Sequence, residues 1–263
     1  MQTISRIVLA LVFLTIVTAC EKVIDLDLNS ASPKFVIEGH VTNGPGPYLV
    51  KVTKTRNFSD DNNFEGITNA FIMISDNQGN RDTLVQTQPG RYYTTTLAGV
   101  PGRTYFLEVR IENETYAAQS TMPIQVPLDS VRVNDFVALG NTLKVTHAYF
   151  RDPAGVKNYY RHVLYHNQKL IKSIYILNDE LNDGLPVDRV LPIMSFDEEL
   201  VSGDSVQVDM WCIDAAVYNY FFTLDQTINQ SSSAPTNPMT NLSGDALGYF
   251  SAHTLQTEKL KAP

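Results

Sequence analysis

The sequence predicts a mainly β protein, built as two antiparallel β-sandwich modules with one helix packed on the second. Three observations carry this reading. Apolar and polar residues alternate over strand-length runs, most cleanly in Thr104 to Ile111, where Tyr105, Leu107, Val109 and Ile111 share one face. Clusters of Gly, Pro, Asn and Asp cut these runs at Asn43 to Pro47, Asp76 to Asn80, Pro89-Gly90 and Pro101-Gly102, as hairpins of a sandwich require. A helical period stands out in one place, where Val217, Phe221, Leu224 and Ile228 recur at spacings of four, three and four.

Taken in order, the chain opens with a short, weakly basic segment from Met1 to Arg6, then the apolar run Ile7 to Leu14. This is the anatomy of a cleaved export signal over residues 1–19. The run is too short for a spanning helix, which needs roughly 20 apolar residues. It ends in Val17-Thr18-Ala19-Cys20, the pattern of a bacterial lipoprotein, so Cys20 is the expected lipidation site and residues 20–33 form a lipidated leader. The first sandwich spans 34–124. Pro123 and Pro127 then remove ladder donors and favour an extended connector.

The second module spans 128–263. Its strands are expected at Ser130 to Val133, Leu143 to Phe150, Tyr159 to His166, Lys169 to Leu177 and Val206 to Ile213. The helix is expected near 215–228, with Asp214 as its N-cap, followed by a loop rich in Ser, Asn and Pro from Asn229 to Pro238.

The formal charge of -8 argues against nucleic acid and against charge-driven binding to anionic lipid. Membrane attachment then falls to acyl chains, at about 0.8 kcal/mol per buried methylene. With Cys20 acylated, Cys212 has no intramolecular partner. It shares a strand face with Val206, Val208 and Met210, the setting of a buried thiol rather than a nucleophile.

Candidate chemistry is sparse. His162 and His166 are four apart on a strand, too far to grip one ion, and read as structural. Asn178-Asp179-Glu180-Leu181-Asn182-Asp183-Gly184 concentrates hard oxygen donors at a glycine turn without the spacing of a complete calcium motif, so Asp179 and Asp183 are candidate binding residues and no resident metal or cofactor is expected. Asp197-Glu198-Glu199 reads as a solvated acidic face. No Gly-x-Ser-x-Gly elbow, His-Glu-x-x-His or phosphate loop occurs, and the chain reads as a non-enzyme with no catalytic residue. Tyr218 and Tyr220 lie on different faces of the helix and are candidates for partner contact, whereas Phe221 belongs to the core.

Several stretches together resemble a family of Bacteroidetes lipoproteins described as domain of unknown function 4249. They are Glu21 to Leu26 after the cysteine, Phe35-Val36-Ile37-Glu38-Gly39, Asn69 to Ile74, Asp152-Pro153-Ala154-Gly155, Gly203-Asp204, Pro235 to Leu242 and Gly248-Tyr249-Phe250. The chain departs from the family pattern near its end, where Gly244-Asp245-Ala246-Leu247-Gly248 stands for Gly-Gly-Leu-Gly. The resemblance implies an outer-membrane lipoprotein, on the periplasmic or cell-surface face, associated with TonB-dependent receptors that import nutrients or iron chelates. The first module is also similar to carboxypeptidase regulatory-like and immunoglobulin-type sandwiches.

On this reading the protein captures or docks a ligand or partner through loops at one end of the second sandwich. Those loops are Asn178 to Gly184 and Pro235 to Gly248, the latter carrying Asn237 and Asn241. A structural or adhesive surface protein, and less favourably a hydrolase of envelope or dietary polymer, are the alternatives.

Overall fold

Strands form where side chains alternate, and the C-terminal segment decides how those strands assemble. The computed structural model describes residues 32–56, 64–138, 140–193, 199–229 and 237–263. The first half holds β1 (Phe35–Thr42), β2 (Gly44–Pro45), β3 (Leu49–Lys54), β4 (Phe71–Asp76), β5 (Arg81–Thr83), β6 (Val85–Gln88), β7 (Arg91–Tyr93), β8 (Ala98–Gly99), β9 (Thr104–Ile111) and β10 (Glu114–Thr121). The second holds β11 (Leu128–Ala138), β12 (Asn141–Arg151), β13 (Tyr159–His166), β14 (Lys169–Leu170), β15 (Tyr175–Asn178), β16 (Pro186–Leu191), β17 (Ser205–Ile213), helix α1 (Ala215–Ile228) and β18 (Leu247–Lys261).

One nine-stranded sheet runs β14-β13-β17-β18-β1-β3-β7-β6, with β15 also paired to β13. Two smaller sheets, β10-β9-β4-β5 and β11-β12-β16, complete the sandwiches. Strand β18 joins the halves. Its first part pairs parallel with β1, from Val36↔Leu247 to Thr42↔His253, and its second part pairs antiparallel with β17, from Cys212↔Thr254 to Ser205↔Lys261.

Two hydrophobic clusters follow. Ile37, Val41 and Phe250 of the large sheet pack with Ile72, Ile74, Tyr105 and Leu107 of one small sheet. Tyr160, Leu164, Val208 and Met210 pack with Ala148, Phe150, Val187 and Leu191 of the other. The change of core falls where the prolines do, since Met122 belongs to the first cluster and Val126 to the second. Residues Leu242, Ala246, Phe250 and Ala252, expected with the second module, pack in the first core because β18 is drawn there by its pairing with β1. All described residues from Pro33 onward fall in one compact unit.

Strands β16 and β18 are not among those expected from the alternation, and the expected Lys169 to Leu177 strand is divided into β14 and β15. In β16 the inward positions are Val187, Arg189 and Leu191, so an arginine breaks the apolar alternation. In β18 both faces are covered, and Ser251, His253 and Thr254 are as buried as Phe250 and Ala252.

Helix α1 begins as expected. Asp214 Oδ1 accepts from Val217 N at 2.9 Å, while its Oδ2 accepts from Ser120 Oγ at 2.6 Å and Thr121 N at 3.0 Å, fastening the helix start to β10. The buried face is Val217, Tyr220 and Phe221. Ile228, expected in this stripe, is 59% exposed. Under the helix the Arg161 guanidinium lies 3.7 Å from the Phe221 ring centroid and 4.4 Å from that of Trp211. Burial lowers its pKa, and the two rings offset part of that cost.

Two outcomes follow from this packing. Gly248 has φ +97, and a Cβ there would fall 2.1 Å from the Ile37 carbonyl oxygen across the β1–β18 pair. Gly248→Ala should lower the unfolding free energy by about 3 kcal/mol in a urea titration, and a loss below about 1 kcal/mol would contradict the close pairing.

Asp82 is 4% exposed and accepts from the backbone amides of Thr95, Thr96 and Leu97 at 2.7 to 2.8 Å. Burial alone would raise its pKa, but these amides and the Thr95 hydroxyl outweigh it and hold the carboxyl below its usual 3.8. A depressed folded pKa means the stabilisation is present above the unfolded value, near 4, and lost as pH falls through the folded value. Asp82→Asn should therefore cost about 2 kcal/mol at pH 7, and its gap to wild type should close as thermal unfolding is measured from pH 5 down to pH 2.

Candidate carboxylate site

The site is made by two loops, one leaving β12 and the other joining β15 to β16, the strand that pairs with β12. After β12, Asp152-Pro153-Ala154-Gly155 turns the chain with Gly155 at φ +72. After β15, Asp179 O accepts from the amides of Asn182 at 2.9 Å and Asp183 at 3.0 Å, closing a tight turn. Gly184 then approaches Ala154 so nearly that a Cβ on it would lie 2.9 Å from the Ala154 Cβ. Only glycine fits there at its φ of +72.

This meeting brings Asp152, Asp179 and Asp183 together, with one oxygen of each within 4.8 Å of the others. Asp152 and Asp179 are 1% and 6% exposed, whereas Asp183 is open to solvent. Each carboxylate is held by the protein. Tyr160 Oη donates to Asp152, Asn158 N donates to Asp179 Oδ2 at 2.7 Å, and Gly155 N donates to Asp183 Oδ1 at 2.6 Å. Burial and the neighbouring Asp152 raise the Tyr160 pKa, so the phenol keeps its proton and remains a donor.

Among the described residues no lysine or arginine forms an ion pair with these three groups, and Arg151 instead donates to Gly184 O at 3.1 Å. Chemically, three hard oxygens at this separation suit a divalent cation and would supply about half of the six to eight oxygens calcium takes. They also act without any ion, since Asp183 accepts from Gly155 N, Asp179 from Asn158 N and Asp152 from Gly184 N at 3.4 Å, bonds that tie the two loops together.

The remaining candidates are distributed unevenly. Tyr218 is half-buried, and its ring packs at a tilt on Tyr159 at 5.1 Å and stacks with Phe222 at 6.0 Å. Its pKa is raised by burial and then by the charge of Glu180. Tyr220 is 8% exposed and packs on Tyr249 at 4.7 Å, a core role. Asn241 pins a turn, because its Oδ1 accepts from Phe250 N at 3.0 Å and its Nδ2 donates to Phe250 O at 2.7 Å and Gln119 O at 3.3 Å. Asn237 is exposed.

The stretch from 240 to 243 runs along β10, where Leu242 bridges to Ala118 and Ala117 N donates to Ser243 Oγ at 2.8 Å. It was expected beside the Asn178 to Gly184 loop and instead lies against the first sandwich, because β18 begins there.

His162 is fully buried in the second core, and burial lowers its pKa to about 3. His166 Nε2 lies 2.7 Å from Asp204 Oδ2. Cys212 is free and buried, its Sγ accepting from Val126 N at 3.4 Å, and burial raises its pKa. Cys20, Asp197 and Glu198 lie outside the described residues. Asp152 is the site residue that the sequence pattern does not single out: its turn is legible, but its convergence with Asp179 depends on strand pairing.

A family model described as Domain of unknown function (DUF4249) matches residues 21–259, and the chain belongs to that family. No curated protein matches it.

Tyr160→Phe removes the phenol donor from a buried carboxylate and leaves the ring packing in place. It should cost about 2 kcal/mol by urea unfolding, and a change below about 0.5 kcal/mol would show that Asp152 is stabilised elsewhere.

Proposed function

We propose that this family member is a lipid-anchored binding or accessory protein of the outer membrane, working beside a TonB-dependent transporter in nutrient or iron-chelate uptake. The observation that carries the reading is the apolar run Ile7 to Leu14 ending in Val17-Thr18-Ala19-Cys20. Among the described residues no helix is long and apolar enough to cross a membrane, so an acylated Cys20 would be the attachment on this account.

Partner contact is assigned to the Asn178 to Gly184 loop with Asp152 and to Tyr218 beside it. These groups combine the solvent-open carboxylate of Asp183, backed by two buried ones, with an aromatic ring carrying a polar tip, a composition suited to a polar or cationic group on a partner. Rigid strands on either side hold the loops, so binding would cost little ordering entropy. The protein would act by capture and docking, without covalent chemistry of its own.

The test is partition of the natively expressed protein between detergent and water, followed by cross-linking in the envelope. Wild type should enter the detergent phase and bring down a β-barrel, and Cys20→Ser should move to the aqueous phase or remain as uncleaved precursor. Mature, detergent-phase Cys20→Ser would overturn the anchor, and recovery of wild type alone after cross-linking would overturn the partnership.

A further inference from the structure

A second site lies on another edge of the second sandwich, where the two sheets part beneath the end of the helix. There β15 and β16 leave a cleft of about 600 Å³, within the range of small-molecule sites. Ile174, Val190, Pro192 and Ile228 form the apolar part of its walls. Two of these are apolar side chains left open to solvent, Ile228 at 59% and Val190 at 44% exposure. Apolar side chains lining a concavity together with a few polar groups have the composition of a ligand site.

One charged group reaches the cleft from the interior. Arg189 occupies an inward position of β16, between Val187 and Leu191, so its side chain extends between the sheets rather than into solvent. Its Nη2 donates to Ile176 O at 3.1 Å, but its buried Nε has no hydrogen-bond partner, and among the described residues no carboxylate pairs with the guanidinium. Tyr175 Oη, beside it, is spent on Pro192 O. A half-buried cation without a counter-ion carries an uncompensated desolvation cost. Lys172 adds a second positive charge at the mouth. The one acid in the lining, Asp225, sits on the helix side and accepts from Asn229 Nδ2 at 2.9 Å, so a ligand's negative end is steered toward Arg189.

We infer that this cleft binds a small carboxylate ligand with an apolar body, its carboxylate on Arg189 and its body against Ile174, Val190 and Ile228. A planar carboxylate matches the guanidinium fork, and the apolar walls take the rest of the molecule. The site depends neither on membrane attachment nor on the Asp152 cluster, so it stands or falls apart from the proposed function.

Titration of the full chain with phenylacetate and with phenylacetamide, read from the methyl resonances of Ile174, Val190 and Ile228, tests it directly. Phenylacetate should bind at least tenfold more tightly than its neutral isostere, with shifts centred on those methyls. Arg189→Gln should abolish the preference, and Arg189→Lys should retain part of it. Equal binding of the two probes, shifts centred elsewhere, or a preference that survives in folded Arg189→Gln would overturn the assignment. Comparing the two probes on the wild-type chain separates these outcomes even if neither variant folds.

Discussion

The backbone pairing of β18 with two strands of different halves is the constraint on which the rest of the structure depends. Residues 247–253 bond to β1 and residues 254–261 bond to β17, so one continuous strand makes a single sheet out of two sandwiches. Each small sheet then covers its own half of one face and closes its own core. Sheets joined in this way cannot slide in register independently, because a one-residue slip of β18 would turn Phe250 and Ala252 out of the first core and Thr254 out of the second half.

That joint also fixes the opposite face of the large sheet, where the helix lies. Tyr249 of β18, Arg161 of β13 and Trp211 of β17 form the bed for Phe221 and Tyr220, so the helix is placed by three strands at once. Its start is held by Asp214 to β10 of the first sandwich, and its end overhangs the cleft that Arg189 enters. The carboxylate cluster and the cleft both lie beside β15, one at each end of that short strand: Asn178 leads into the Asp179 turn, and Ile174-Tyr175 line the cleft. Both are therefore held by the same rigid framework.

Much of this was legible in the sequence, and the exceptions share a cause. The strand around Leu107 alternates cleanly because one of its faces meets solvent, and the helix start was readable because Asp214 precedes an apolar period. Strands β16 and β18 escaped because their patterns are set by tertiary contacts: an inward Arg189 in one, and two buried faces with His253 and Thr254 in the other. Ile228 fits a helical stripe, yet the helix overruns its sheet and leaves that turn exposed. For the site, Asp179 and Asp183 were visible as a local cluster, while Asp152, 27 residues away, could only be joined to them by the closing of β12 onto its neighbours.

With β18 shared between them, the two halves form one cooperative body. Native-state hydrogen exchange tests this most directly, by comparing the most protected amides of β1, at 37–41, with those of β17, at 206–212. Equal exchange free energies with the same denaturant dependence are predicted, since neither half should open without β18 leaving both. Protection of one half that persists while the other exchanges through a separate, lower-energy opening would contradict it.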